Sequence, residues 1–164
     1  MNFFLTDLEI DDIIKRPKYY YSDDLQRARW HTQDGHKKRE LPLNSDQSIS
    51  LLKVFWRQNQ EDQLDFTVGL AYRFPDTNVD VNLIRCNGNS HSHSNTLEHS
   101  RLVQDFHIHR ATQRYWEADP LKAENYAERT DRYNEIVGAF RYLCEIAHIG
   151  ERNHGVRQLD EFKP

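Results

Sequence analysis

The chain has 164 residues, a mass of 19.6 kDa and a formal charge of −4, a size at which one domain of roughly 100–150 residues is the expectation. Leu, Ile, Val and Phe supply 39 of those residues, above the roughly 20% below which disorder is expected, so a modest core is possible. No apolar run approaches the roughly 18 residues of a membrane helix, the N-terminus turns acidic at once instead of opening as a leader, and two cysteines are too few for a disulfide framework. A cytoplasmic protein with two free thiols is expected, with no membrane partner. The acidic balance, with a pI near 6.1, excludes attraction of the whole molecule to nucleic acid and confines any such contact to a local basic patch.

Residues 4–16 carry Leu5, Leu8, Ile13 and Ile14 at near-helical spacing, and Thr6-Asp7-Leu8-Glu9 reads as a capping box that satisfies the first free amides of a helix. Pro17 ends it. From residue 27 to residue 87, short alternating runs between turn residues give the signature of antiparallel strands. Residues 27–32 and 37–43 flank Gln33-Asp34-Gly35-His36, where Asp-Gly marks a hairpin. Residues 49–58 and 66–74 read as central strands, the second placing Phe66, Val68, Leu70 and Tyr72 on a core face and Thr67, Gly69 and Ala71 opposite. A turn at residues 75–78, a strand over 79–86, a loop over 87–90 and a strand over 106–112 follow.

Asp119-Pro120 predicts a short helix over residues 121–128, with Asp as cap and Pro at the first helical position. Thr130 or Asp131 starts a longer one, in which Tyr133, Ile136, Val137, Phe140, Leu143, Cys144 and Ala147 form an apolar stripe closed by Gly150. These elements predict an α+β domain over residues 1–150. An antiparallel sheet of five or six strands carries an N-terminal helix, and a long C-terminal amphipathic helix packs on one of its faces. Residues 151–164 form a polar tail.

The chemical content lies in the histidines, five of the nine falling between His91 and His109. His91-x-His93 and His107-x-His109 each put two imidazoles on one side of an extended strand. The 13 residues between His93 and His107 leave room for a hairpin that brings the pairs together. One use of four imidazoles is metal binding, completed by Glu98 or Asp105. Another is metal-free phosphodiester cleavage, in which one histidine takes the 2′-hydroxyl proton and another protonates the leaving oxygen. Arg85, Arg110 and Arg114 are the nearby cations, and Tyr115 and Trp116 the rings for stacking a base. A solvated polar strand accounts for the same residues without chemistry. Cys144 reads as a core residue, and Tyr19, Tyr20, Tyr21, Trp30 and Trp56 as strand and core aromatics.

Four stretches resemble a family of uncharacterised bacterial and mobile-element proteins known only as a domain of unknown function. They are residues 64–70, Arg85-Cys86-Asn87-Gly88-Asn89-Ser90-His91-Ser92-His93-Ser94-Asn95, Phe106-His107-Ile108-His109-Arg110-Ala111-Thr112-Gln113-Arg114-Tyr115 and Tyr126-Ala127-Glu128-Arg129-Thr130-Asp131-Arg132-Tyr133. The resemblance covers most of the chain after residue 60 and implies one small α+β domain with no established activity. Cys86 stands where the resemblance has an aromatic residue. The Asn87-Gly88 and histidine segment is also distantly similar to TumE-type toxins of toxin–antitoxin systems, which implies an RNA-directed toxin.

The resulting expectation is a histidine-dependent, toxin-like protein acting on RNA or another phosphodiester. His107 and His109 serve as acid and base, His91 and His93 as partners or phosphate contacts, and Arg110 and Arg85 as cations. The alternative is a non-catalytic inhibitor or immunity factor of bacterial or phage conflict systems that covers a larger protein partner. A metal protein is third. The cofactor stays open.

Overall fold

The computed structural model describes residues 3–46 and 51–153. In chain order these form α1 (Asp7–Lys15), β1 (Lys18–Tyr21), α2 (Ser22–Arg27), β2 (His31–Gln33), β3 (His36–Pro42), β4 (Leu52–Asn59), β5 (Phe66–Arg73), β6 (Asp80–Asn87), β7 (His93–Asn95), β8 (Ser100–Leu102), β9 (His107–Arg110), α3 (Gln113–Ala118), a 3-10 turn (Pro120–Lys122), β10 (Tyr126–Arg129), α4 (Ile136–Ile146) and β11 (Ile149–Arg152). Seven strands make one antiparallel sheet in the order β10-β9-β6-β5-β4-β3-β2. A hairpin of β7 and β8 stands apart, and β1 runs parallel to β11. The class is α+β, with an N-terminal and a C-terminal helix about an antiparallel sheet.

Local signals explain several elements. Thr6 and Glu9 close the capping box of α1, whose buried face is Ile10, Ile13 and Ile14. Asp34 and Gly35 both take positive φ, 50° and 74°, as a two-residue hairpin requires. Paired residues of neighbouring strands share a face, so Trp56, Val68, Cys86 and Ile108 line one side of the sheet. There α4 packs, Phe140 meeting Trp56 at 4.9 Å between ring centres and Leu143 wholly buried. The opposite side carries Gly69, Arg85 and His109 in one row.

Four elements differ from the pattern read in the sequence. The helix expected over residues 121–128 is a single 3-10 turn, capped by Asp119 as anticipated, and then strand β10. The pairing of Tyr126–Arg129 with β9 outweighs the local helical signal. The long helix starts at Ile136, because Tyr133 is spent outside it, its hydroxyl donating to the carbonyls of Asn87 (3.1 Å) and His107 (2.8 Å). His148, at φ 52°, takes the left-handed position after that helix, and Gly150 enters β11. Of the strand expected over residues 27–32, Arg27 closes α2 and only His31 and Thr32 enter β2, and Trp30 is 41% exposed, its ring stacked on Arg39. The start of the strand read at residues 49–58 lies outside the described residues, as does most of the tail.

One buried charge ties the chain ends. Lys18 is 2% exposed, and its ammonium donates to the carbonyls of Ile14 (2.8 Å), Arg16 (2.8 Å) and Ala147 (2.6 Å). These lie at the C-terminal ends of α1 and α4, where helix dipoles favour a cation. Burial, followed by the Arg16 charge, lowers its pKa to about 8. Lys18→Met strands three carbonyls in the interior and is expected to cost about 2–4 kcal/mol. A urea midpoint within error of wild type contradicts this role.

Candidate functional site

Strand alternation sets the first half of the site. On β9, His107 and His109 face away from α4, and their register partners on β6, Asn87 and Arg85, face the same way. A bulge between Leu70 and Ala71 in the pairing of β5 leaves Leu83 unpaired, since Ile84 opposes Leu70 and Asn82 opposes Ala71. The extra residue returns Asn82 to the face of Arg85. Both then reach Glu124, Asn82 donating to its carboxylate at 3.0 Å and Arg85 forming an ion pair at 3.0 Å that lacks hydrogen-bond alignment. Gly88 extends β6 by one bond, its N–H donating to Phe66 at 2.9 Å. A Cβ there would stand 1.8 Å from the Leu64 carbonyl oxygen, so close backbone approach, not a turn, demands the glycine.

The β7–β8 hairpin supplies the second half. It covers the histidine face and is fastened at three points. The Asn95 side chain pairs with the backbone of Ala127 as a strand would, donating to its carbonyl and accepting its N–H, each at 2.8 Å. The Tyr115 hydroxyl accepts from Leu97 (3.1 Å) and donates to Glu98 (2.5 Å), which also pairs with Arg114. His93 donates from Nε2 to the Asn125 carbonyl at 2.7 Å.

Four imidazoles meet between these layers. Ring centres lie 4.4 Å apart for His93 and His109, 5.0 Å for His107 and His109, 5.4 Å for His91 and His107, and 5.9 Å for His93 and His107. His107 and His109 are 0% and 2% exposed, whereas His91 is exposed at the rim. Carbonyl acceptors fix three tautomers, because a carbonyl only accepts. His107 donates from Nδ1 to Asp105 (2.7 Å) and His109 from Nδ1 to Glu124 (3.0 Å), leaving Nε2 bare on each. Burial pushes the pKa of His107 down to about 4, and burial and then the Arg85 charge push that of His109 down to about 2. Burial also lowers His93 and raises Glu124, the latter against the pull of Arg85. The buried rings are therefore neutral at pH 7.

The structure thus gathers His91, His93, His107, His109 and Arg85. Arg110 is a correction: it shares the opposite face with Ile84, because residues 109 and 110 alternate. Tyr115 and Trp116 are 2% and 5% exposed, so neither offers a ring for a base, and Arg114 is bound to Glu98. The carboxylates proposed to complete a metal site are engaged elsewhere, Glu98 with Tyr115 and Arg114 and Asp105 with Arg129 at 3.2 Å. Among the described residues no three His, Cys, Asp or Glu side chains stand ready to hold an ion. Cys86 lies under α4, and burial pushes its thiol up to about 12, which removes it as a nucleophile. Sequence reasoning missed Asn82, Asn95 and Glu124. The bulge, the side-chain mimicry of a strand and the misread 121–128 segment hid them.

No family model, curated protein or solved structure matches the chain.

Neutral burial of the rings has a consequence for stability. With folded pKa values below the unfolded reference of about 6.5, the unfolded chain binds protons that the folded one refuses, so this contribution is present above pH 6.5 and falls as the pH drops toward 4. His109→Gln is expected to reduce the loss of stability between pH 7 and pH 5, read from urea midpoints. An unchanged pH slope means that His109 does not resist protonation.

Proposed function

We propose that the chain acts on RNA or another phosphodiester through its histidine face. The observation that supports this most is the meeting of four imidazoles and Arg85 on one side of the sheet, with His91 exposed at the rim. In RNA cleavage, the 2′-oxygen bonds to phosphorus as its proton passes to an imidazole. The bond from phosphorus to the 5′-oxygen breaks as that oxygen takes a proton. Neutral rings carry the bare nitrogen that the first transfer needs, although the lowered pKa weakens them as bases. They do not suit the second, since an imidazole with a pKa near 4 is protonated in roughly one molecule in a thousand at pH 7. The roles therefore shift from the sequence reading: the buried pair supplies bare nitrogens, and exposed His91 is the proton donor. Arg85 is the cation for charge that builds on phosphorus.

The same sheet face extends past the site into a cleft of about 400 Å³, bordered by Asn82 and lined by Lys38, Lys53, Phe55 and Arg57. The Phe55 ring lies where a Cβ on Gly69 would sit, 2.3 Å from its nearest atom, so Gly69 makes room for it. Glu40 and Asp80 also line it, each paired with Lys53 at 2.9 Å, and Arg57 pairs with Asp65 at 3.1 Å, so the partly exposed ring lies among charges of both signs.

Burial of His107 and His109 favours one second reading: an interaction protein whose imidazoles only clamp the hairpin to the sheet. Incubation with labelled RNA separates the two. Under the first reading wild type cleaves, and His91→Ala and His107→Gln each slow cleavage about a hundredfold or more with unfolding midpoints retained for His91→Ala. Absence of cleavage, together with a stoichiometric protein complex that survives both substitutions, supports the second.

A further inference from the structure

We infer that the β2–β3 hairpin and the segment leading into it form a binding surface for single-stranded nucleic acid. Trp30 is the ring on which a base stacks, and Arg27, Arg29, Lys37, Lys38 and Arg39 are the cations that meet its phosphates. The molecule as a whole is acidic, so such a surface has to be local. Residues 27–39 hold five of the chain's 22 Lys and Arg residues against only one, Asp34, of its 26 Asp and Glu residues. Arg27, Arg29 and Lys37 are exposed, and Lys38 and Arg39 are half-buried. Among the described residues no carboxylate pairs with any of the five, whereas Lys53, Arg57, Arg73 and Arg85 on β4, β5 and β6 each hold one.

The ring beside these cations is built into the surface. The Arg39 guanidinium lies 4.4 Å from the centre of the Trp56 ring and 4.6 Å from that of Trp30. Trp56 is 2% exposed and packs on Phe140, so the stack is tied to the core, and Trp30 keeps 41% exposure at its outer end. Nε of Arg39 has no acceptor among the described residues, so the hydrogen bonding of this guanidinium is not used up inside the fold. An aromatic face among unpaired cations fits bases and phosphates together. An acidic peptide would engage the cations and leave the ring without a stacking partner.

The sheet relates this surface to the histidine face. β2 is its last strand, five strand spacings from β9, or roughly 24 Å at about 4.8 Å each. Register puts Lys38 on the histidine side and Lys37 and Arg39 on the other, so the cations straddle the edge. A strand held there is bound far from the reacting groups. The inference rests on the phosphodiester reading for its choice of ligand, and on none of the histidine chemistry.

The test is binding of the full chain to a fluorescein-labelled oligothymidine about 12 nucleotides long, a DNA with no 2′-hydroxyl to react, followed by anisotropy at salt concentrations from roughly 50 to 200 mM. Affinity is expected to fall with salt. The Arg29→Gln/Lys37→Gln double variant, altered at two exposed positions, is expected to flatten the log–log slope by about 1.4, at roughly 0.7 for each lost phosphate contact. Trp30→Ala is expected to weaken binding roughly tenfold or more, and Lys122→Gln, at the other end of the sheet, to leave it unchanged. Wild type that does not bind at the lowest salt overturns the inference, as does unaltered binding by the folded double variant or by folded Trp30→Ala. Polyglutamate that competes as well as the DNA makes the surface one for acidic protein and overturns it too. Binding by a protein that cleaves no RNA keeps this inference and removes the phosphodiester chemistry; cleavage of RNA by a protein that does not bind the DNA does the reverse.

Discussion

An imidazole placed between a sheet and the hairpin that covers it must either stay neutral or leave its charge without water, and neutrality still leaves one N–H in need of an acceptor. In this chain the acceptors are the backbone carbonyls of Asp105, Glu124 and Asn125, which receive His107, His109 and His93. Those carbonyls belong to the approaches to β9 and β10, so the bonds of His109 and His93 also tie the segment before β10 to the sheet and to the hairpin, while that of His107 stays within the approach to β9. Asn95 and Tyr115 reinforce the attachment from the hairpin side. The site and the outer layer of the fold are one hydrogen-bonded unit.

The opposite face obeys a different rule. It is apolar, and α4 covers it through Phe140 and Leu143 while Tyr133 satisfies carbonyls of both β6 and β9 from outside the helix. Lys18 then joins the ends of α1 and α4 with one ammonium. A sheet covered on both sides explains why β5 is buried at six consecutive positions from Phe66 to Ala71, where an amphipathic strand would alternate. Its polar side admits only small residues: Thr67, Gly69 and Ala71 leave space for neighbouring rings and for Arg85.

Much of this was legible in residue patterns. The capping box at Thr6, the Asp34-Gly35 hairpin and the alternation of the central strands are local signals, and local geometry honours them. The shared face of His107 and His109 follows from a period of two. Long-range pairing was not legible. Tyr126–Arg129 carries no stronger strand signal than helix signal, and only the free edge of β9 decides the matter. The tautomers also needed the fold, since they depend on carbonyls up to 32 residues away. Arg110 shows the reverse, because alternation alone places it opposite to His109.

These constraints bear on chemistry as well as folding. Rings held neutral in one tautomer present lone pairs at chosen nitrogens, and exposed His91 and half-buried His93 remain in contact with solvent at the edge. The central claim is therefore the protonation state of the layer. Long-range proton–nitrogen correlation NMR on the chelator-treated protein at pH 7 reads it directly. Neutral Nδ1–H tautomers for His107 and His109 and a neutral Nε2–H tautomer for His93 are predicted; imidazolium signals or fast averaging between tautomers at His107 and His109 would contradict the account.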